Sequence, residues 1–211
     1  MQIREHFSRQ VRTTLIVDTQ MKQQMHSDSQ LMLMVQKTDD HAAFELLVNR
    51  YQKSLFGYIW RFTGDRHAAE DMFQETWMRI YQARSKYNHE FPFSSWAYRI
   101  ATNACLDTRK KKSHAMEKAT DNEIIQRQAS SDDRPDKRLM QETKSSSVQA
   151  LLNEIPEKFR AVLLLKHYED LSIKTIAAVL EIPEGTVKSR LHKGIKQLTV
   201  LAEKRGLTDA M

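Results

Sequence analysis

The sequence predicts an all-α protein with two small helical domains joined by a flexible linker. Apolar residues recur every three or four positions through most of the chain, and a polar stretch without such a period separates the two periodic parts. A chain of 211 residues can bury one core in each part. We expect an N-terminal extension at 1–26, a first domain at 27–112, a linker at 113–147 and a second domain at 148–205.

The composition permits an acidic partner and argues against several classes of protein. The chain has 33 Lys and Arg residues against 27 Asp and Glu, a formal charge of +6, which is compatible with nucleic-acid binding. Its one cysteine, Cys105, cannot form an internal disulfide, and no Cys/His spacing indicates a metal site. No apolar run reaches the roughly 20 residues of a membrane span. We therefore expect a cytoplasmic protein with no membrane insertion, metal or other cofactor.

The first domain is predicted to contain four helices. A Ser/Asp start at Ser27 opens the first, and "KTDD" ends it. The second has the strongest apolar series and is closed by "TGD" at 63–65. The third lies at 66–84, and after a loop at 85–93 either Ser94 or Ser95 is expected to cap the fourth. The predicted core residues are Leu31, Met34, Val35, Phe44, Leu47, Val48, Tyr51, Leu55, Tyr58, Ile59, Phe62, Ala69, Met72, Phe73, Thr76, Ile80, Trp96, Ile100 and Ala104.

The second domain follows a segment, 113–147, that is rich in Ser, Gln, Asp and Lys and lacks any helical period. Four short helices are predicted after this linker, and together they form a compact bundle. Their apolar positions are Leu151, Leu152, Ile155, Phe159, Val162, Leu163, Ile173, Ile176, Leu180, Val187, Leu191, Ile195 and Leu198.

The segment "LSIKTIAAVLEIPEGTVKSRLHKGIKQL", residues 171–198, has the spacing of a helix-turn-helix, which places its second helix in the DNA major groove. Ser172 can cap the first helix, Ala177 is small where the helices cross, and "EIPEG" makes the turn, with Glu181 where many such motifs have Gly. A plain hairpin with a solvated basic face is the alternative. The residues expected to reach phosphates or bases are Thr186, Lys188, Ser189, Arg190, His192 and Lys193.

An acidic and partly apolar strip is expected on the outer side of the third helix. It consists of Asp71, Gln74, Glu75 and Met78, which share a helical face. Taken alone, this strip is explained as well by solvation of an exposed face.

The fourth helix has a polar face and a basic end. Arg99, Asn103, Asp107 and Lys110 recur near the helical period, and Asn103 can both donate to and accept from an unpaired base. The run from Arg109 to Lys112 can contact phosphates. Because all aromatic residues except Phe7, Phe159 and Tyr168 lie within residues 44–98, some of them are expected to touch a partner. Tyr87, in the loop, is a candidate for stacking on an extruded base.

Three segments, in order around a polar linker, resemble regions two and four of the bacterial RNA polymerase sigma factors of the sigma-70 family, specifically the small extracytoplasmic-function group. They are "DDHAAFELLVNRYQKSLFGYIWRFTGDRHAAEDMFQETWMRIYQA", "FSSWAYRIATNACLDTRKKK" and "LNEIPEKFRAVLLLKHYEDLSIKTIAAVLEIPEGTVKSRLHKGIKQL". The helix-turn-helix alone is less specific, because other activators carry a similar "TVKSRL" helix. The combination therefore points to this family more strongly than any single motif.

The resemblance implies a transcription initiation factor, not itself an enzyme, with core RNA polymerase, promoter DNA and an anti-sigma factor as partners. Asp71, Gln74 and Glu75 match the family's "DxxQE" motif, which grips core polymerase. Region four would read the minus-thirty-five element, and region two would open the minus-ten element. A pocket for a flipped base would be lined by Tyr87, Asn88 and Asn103. The resemblance does not determine the shape of this pocket, because Pro92 and the flanking Phe residues depart from the small polar loops common in the group.

Two other classes of protein remain alternatives at this stage. One is a stand-alone helix-turn-helix regulator whose first domain senses a ligand or forms a dimer. The other is a recombinase or similar DNA enzyme with a helix-turn-helix tail, although the sequence shows no recognisable catalytic set.

Overall fold

Every regular element in the described part of the chain is helical. The computed structural model describes residues 26–118 and 148–207, with the backbone alone for 109–118. The first domain contains α1 (Asp28–Thr38), α2 (His41–Thr63), α3 (Arg66–Gln82), a 3-10 turn (Arg84–Lys86) and α4 (Phe93–Lys118). The second contains α5 (148–154), α6 (Glu157–His167), α7 (Ile173–Leu180) and α8 (Glu184–Lys204). The all-α class with two helical domains is confirmed, whereas the extension up to residue 25 and the linker from 119 to 147 lie outside the described residues.

Side-chain caps set the starts of α1, α2 and α3. Ser27 and Gln30 form a reciprocal capping box at the start of α1. Asp40 and Asp65 each accept a backbone N–H three residues further on, at 3.0 and 2.7 Å. Between α2 and α3, Gly64 takes a left-handed φ of 70°, which a glycine adopts without strain. The breaks expected at "KTDD" and "TGD" are confirmed.

The core of the first domain is built from the predicted faces of its helices. Most predicted positions of α1 and α2 are buried, and Met34, Phe44, Val48 and Tyr51 pack half-buried around them. The two buried hydroxyls of Tyr58 and Thr102 satisfy each other at 2.7 Å. This core fixes the orientation of α3 and α4 within the first domain.

The start and end of α4 differ from the prediction. The helix begins at Phe93, directly after Pro92, so Ser94 and Ser95 lie in its first turn and neither is its cap. Proline suits this position because its fixed φ leads into a helix and its missing N–H would have no helical partner. At the other end α4 continues to Lys118, past the predicted domain end at 112, since Arg, Lys, Ala, Met and Glu are good helix formers.

The helix-turn-helix is formed as predicted, with the inner face of its second helix turned toward α6. Ser172 caps α7 by accepting the Thr175 N–H at 3.0 Å, and Glu181 ends α7 with a left-handed φ of 53°. A Cβ on Gly194 would lie 3.0 Å from Leu163, so α8 approaches α6 closely there. The inner face of α8 passes through Val187, Leu191, Gly194 and Leu198. Ile195, another apolar position of this helix, lies one position off this face and is 46% exposed.

The two domains pack against each other. Helix α2 contacts α6, and α4 contacts α7. One apolar cluster continues from the first domain through Leu152 and Val162 to Val187 in α8. The sequence carries no indication of this arrangement.

Candidate functional site

The acidic strip on α3 is exposed at three of its four positions. Asp71, Gln74 and Met78 face solvent, and Met78 is 51% exposed. Glu75 is half-buried and accepts a hydrogen bond from the Nε of Arg79 at 2.7 Å. An exposed apolar side chain flanked by acidic groups forms a surface suited to a basic and partly apolar partner.

Arg79 connects this strip to α4. Its Nη1 donates to Oδ2 of Asp107 at 3.0 Å while its Nε holds Glu75. The hydrogen bond that Arg79 donates to Glu75 is the main reason that the pKa of Arg79 is raised, and the bond to Asp107 adds to it. Asp107, expected on the DNA-binding face, is therefore engaged in an ion pair within the first domain.

The loop before α4 places its aromatic residues differently from the prediction. Tyr87 is 4% exposed, packs against Phe93 and Trp96, and donates its hydroxyl to the Phe91 carbonyl at 2.7 Å. A stacking role for Tyr87 does not fit this position, because its ring has no open face. Phe91, by contrast, is 56% exposed. Asn88 is also exposed, but its side chain bonds to Glu90 within the loop.

The polar face of α4 is only partly open. Asn103 is exposed and makes no hydrogen bond among the described residues, so both its donor and its acceptor are available. Arg99 is ion-paired with Glu181 of the second domain, with 2.9 Å between Nη1 and Oε1. The predicted contacts of Arg109 and Lys110 concern side chains outside the described ones.

The first half of α8 presents a polar and basic surface. Lys188, Ser189, His192 and Lys193 are exposed, whereas Thr186 and Arg190 are half-buried. The Ser189 hydroxyl donates to the Thr186 carbonyl at 3.0 Å, which turns it back toward its own helix. The helix-turn-helix thus exposes four of the six residues expected to contact DNA.

Residues 26–118 and 148–207 include no helix that is both long and apolar enough to span a bilayer. In the same residues, no three His, Cys, Asp or Glu side chains are grouped so as to hold a metal ion.

Both halves of this architecture match described protein families. Residues 47–115 match Sigma-70 region 2, and residues 145–198 match Sigma-70, region 4. The ECF RNA polymerase sigma factor SigW of Bacillus subtilis is 33% identical over 168 residues, which cover 77% of this chain and 90% of that protein. The chain belongs to the extracytoplasmic-function group of the sigma-70 family. As a sigma factor it is a promoter-specific transcription initiation factor, which decides against the stand-alone regulator and the recombinase.

Further comparisons agree with this family. The RNA polymerase sigma-H factor of Pseudomonas aeruginosa is 33% identical over 172 residues, covering 79% of this sigma factor and 89% of that one. The solved structure of the sigma factor RpoE from Bartonella quintana, in complex with the anti-sigma factor NepR, has a TM-score of 0.61 at 18% identity. The matched region covers 76% of this chain and 96% of the RpoE chain, and this likeness supports the assignment of the fold.

Three residues of this sigma factor became apparent only in the structure. Arg79 links Glu75 to Asp107, Phe91 is the exposed aromatic of the loop, and Arg160 is 1% exposed at the contact between the domains. Of these, the burial of Arg160 could have been predicted from the sequence, because an arginine within the apolar series "FRAVLLL" indicates a buried cation with dedicated partners.

Proposed function

We propose that α8 reads the minus-thirty-five element, while the loop 83–92 and α4 hold unpaired bases of the minus-ten element. The observation that carries this proposal is the position of α8. Val187 and Gly194 pack this helix against the core, whereas Lys188, His192 and Lys193 remain in solvent. A helix held in this way can enter a major groove without rearrangement. Its cations supply phosphate contacts, and its polar groups supply base contacts.

The minus-ten part of the proposal rests on Phe91 and Asn103. Stacking of an aromatic ring on an extruded base contributes roughly 1–3 kcal/mol, comparable to the few kcal/mol needed to unstack it. The exposed Phe91 takes the stacking role first expected of Tyr87. The amide of Asn103, which has no hydrogen-bond partner among the residues that the structure describes, can read a base edge. Opening by capture needs no bond chemistry, and the protein therefore acts as a binding factor and not as an enzyme.

The partner surfaces complete the proposal. Asp71, Gln74, Glu75 and Met78 form the surface for core RNA polymerase, with Arg79 holding Glu75 in place. The structurally similar sigma factor of Bartonella quintana was solved in complex with an anti-sigma factor, and we propose a partner of the same kind for this chain. Its place of action is the cytoplasm, where polymerase and chromosome meet.

The test uses a promoter selected from a pool of randomised duplexes. The selection keeps the duplexes that are transcribed by the holoenzyme, reconstituted from core RNA polymerase and this sigma factor. With 2-aminopurine in the minus-ten element, wild-type holoenzyme is expected to raise the fluorescence as the base unstacks. Phe91→Ala and Asn103→Ala should lower this rise, and a premelted bubble should partly restore transcription. Trp60→Ala is the control, because Trp60 is an exposed aromatic on α2, away from the loop. If Phe91→Ala and Asn103→Ala both open the promoter as well as the wild-type protein does, the minus-ten assignment is contradicted.

A further inference from the structure

Helix α1 is anchored to α2 at its start and reaches the loop 83–92 at its end. Asp28, in its first turn, pairs with Arg50 at 2.5 Å between Oδ1 and Nη1 and accepts a hydrogen bond from the Tyr51 hydroxyl. Gln36, in its last turn, is half-buried against the loop. The residues that match Sigma-70 region 2 begin at 47, so the family match assigns no role to α1.

The amide of Gln36 binds both ends of the 3-10 turn in this loop. Its Nε2 donates to the Arg84 carbonyl at 2.6 Å and to the Tyr87 carbonyl at 3.0 Å. Its Oε1 accepts a hydrogen bond from Nε2 of His89 at 2.5 Å. A reversed amide would set an oxygen against two carbonyl oxygens, which accept hydrogen bonds but do not donate them. The contacts therefore require two N–H donors at this position.

Tyr87 connects Gln36 to the exposed ring of Phe91. While Gln36 holds the Tyr87 carbonyl, the Tyr87 hydroxyl donates to the Phe91 carbonyl at 2.7 Å. The Oγ of Ser29, also in α1, lies 3.3 Å from the same hydroxyl. Two residues of α1 thus fix the buried Tyr87 at its backbone and at its hydroxyl, and Tyr87 fixes the backbone of Phe91.

The loop's own backbone bonds are long and local. The Tyr87 N–H donates to the Arg84 carbonyl, and the Phe91 N–H donates to the Asn88 carbonyl, each at 3.2 Å. Both bonds close a single turn, and short turns of this kind have poorer hydrogen-bond geometry than an α-helix. A loop that must be ordered to receive a base binds it less tightly in proportion to the fraction that is disordered. Contacts from α1 therefore bear directly on promoter opening.

We propose that Gln36 is a positioning residue for the minus-ten element, whose two N–H donors hold the loop 83–92 in the conformation that presents Phe91 to an extruded base. This inference rests on the proposed function. Gln36 acts through Tyr87 and does not itself touch the base. Its loss leaves Phe91 exposed but misplaced, so promoter opening falls while binding of core polymerase and of a duplex carrying the minus-thirty-five element is retained.

Two variants of opposite polarity test whether the donors matter. Gln36→Glu keeps the shape but sets an oxygen against the carbonyls of Arg84 and Tyr87, whereas Gln36→Lys changes the shape and keeps N–H donors. In the aminopurine assay Gln36→Glu should lower the equilibrium constant of opening roughly tenfold, and Gln36→Lys should retain most of it. Gln52→Glu and Gln52→Lys are the controls, because they make the same charge changes at an exposed position of α2. Equal effects of the two Gln36 variants, or a larger loss with Gln36→Lys, would overturn the proposal.

An uncharged variant covers the case in which Gln36→Glu fails to fold or repels DNA. Gln36→Leu removes the three hydrogen bonds without adding charge. Backbone amides of residues 84–91 in the free full-length chain should exchange with deuterium faster in Gln36→Leu than in wild type, with no change in Gln52→Leu. This measurement needs no DNA. Wild-type exchange throughout the loop of Gln36→Leu would overturn the proposal.

A double variant separates this inference from the proposed function. If Gln36 acts by placing Phe91, Gln36→Leu combined with Phe91→Ala should open the promoter as well as Phe91→Ala alone does, because coupled residues do not give additive losses. Additive losses would reject the route through Phe91. Normal opening by Phe91→Ala and Asn103→Ala would reject the proposed function, whereas reduced opening by Phe91→Ala with normal opening by Gln36→Leu would reject only the role of Gln36.

Discussion

At the scale of single residues, Arg79 makes Glu75 a poor site at which to test polymerase binding. It holds Glu75 and Asp107 together, so a change at Glu75 also alters the setting of a residue on α4. The ion pairs are partly exposed, and pairs of this kind stabilise a fold by about 0–1 kcal/mol. A change at Glu75 would therefore mix a small structural effect with the loss of a binding contact.

Asp71 offers a cleaner test of the strip because it is exposed and has no ion-pair partner among the described residues. Asp71→Lys is expected to weaken binding to core polymerase roughly tenfold, about 1.4 kcal/mol, by placing a cation against a basic partner. Titration of core polymerase with labelled sigma factor measures this affinity. Glu45→Lys on α2 makes the same change in net charge at another exposed position and should bind normally. Equal affinities of the two variants would contradict the assignment of the strip.

Cys105 should behave as an inert thiol in the native protein. It is 2% exposed, and burial raises the pKa of its thiol to about 12. Because the thiolate is the reacting form, we expect negligible reaction with a chromogenic disulfide reagent at pH 8. Full reaction should follow in denaturant, which serves as the positive control. Rapid stoichiometric reaction of the native protein would show that α4 opens far more readily than its packing indicates.

At the scale of elements, helices and their inner faces could be predicted where local chemistry decides them. Ser27 and Ser172 are helix starts in the sequence pattern and caps in the structure, because a cap depends on residues three positions apart. Asp40 and Asp65, which the pattern marked only as helix ends, cap the helices that follow. Ile195 belongs to the apolar series of α8 but is exposed, since the small Gly194 lets α8 approach α6 and the contact face passes beside Ile195. The predicted serine cap of α4 is wrong because α4 begins at Phe93, directly after Pro92 and before either serine.

The recognition surface of α8 is testable through the salt dependence of promoter binding. Lys188→Ala removes an exposed cation and should reduce the slope of log affinity against log salt by about 1, as loss of one phosphate contact does. Arg190→Ala should cost about 1–3 kcal/mol if Arg190 contacts a base, with altered sequence preference. Affinities of holoenzyme for the recovered promoter are measured over a salt series. Lys53→Ala, which removes an exposed cation of α2, is the control. If Lys188→Ala and Arg190→Ala have the same salt slope and affinity as Lys53→Ala, the assignment of α8 as the recognition helix is refuted.

At the scale of the whole molecule, the arrangement of the domains could not be predicted. The contacts that set it join residues far apart in the chain, such as Phe62 with Arg160 and Tyr98 with Glu169. No periodicity or motif encodes such pairs. Candidate site residues could be proposed from the sequence only where they belong to a local pattern, as Asp71 and Lys188 do, and both are exposed in the structure. The exposure of Phe91 and the burial of Tyr87 depend on packing among α1, the loop and α4.

The apolar cluster that continues from one domain into the other gives the contact between the domains a thermal signature. Separation of the domains would expose apolar surface to water, and this would raise the heat capacity of the chain. Association of apolar surfaces is driven by entropy near 25 °C and weakens on cooling. The contact between the two domains would therefore weaken on cooling, so that temperature itself sets how firmly the domains are held together.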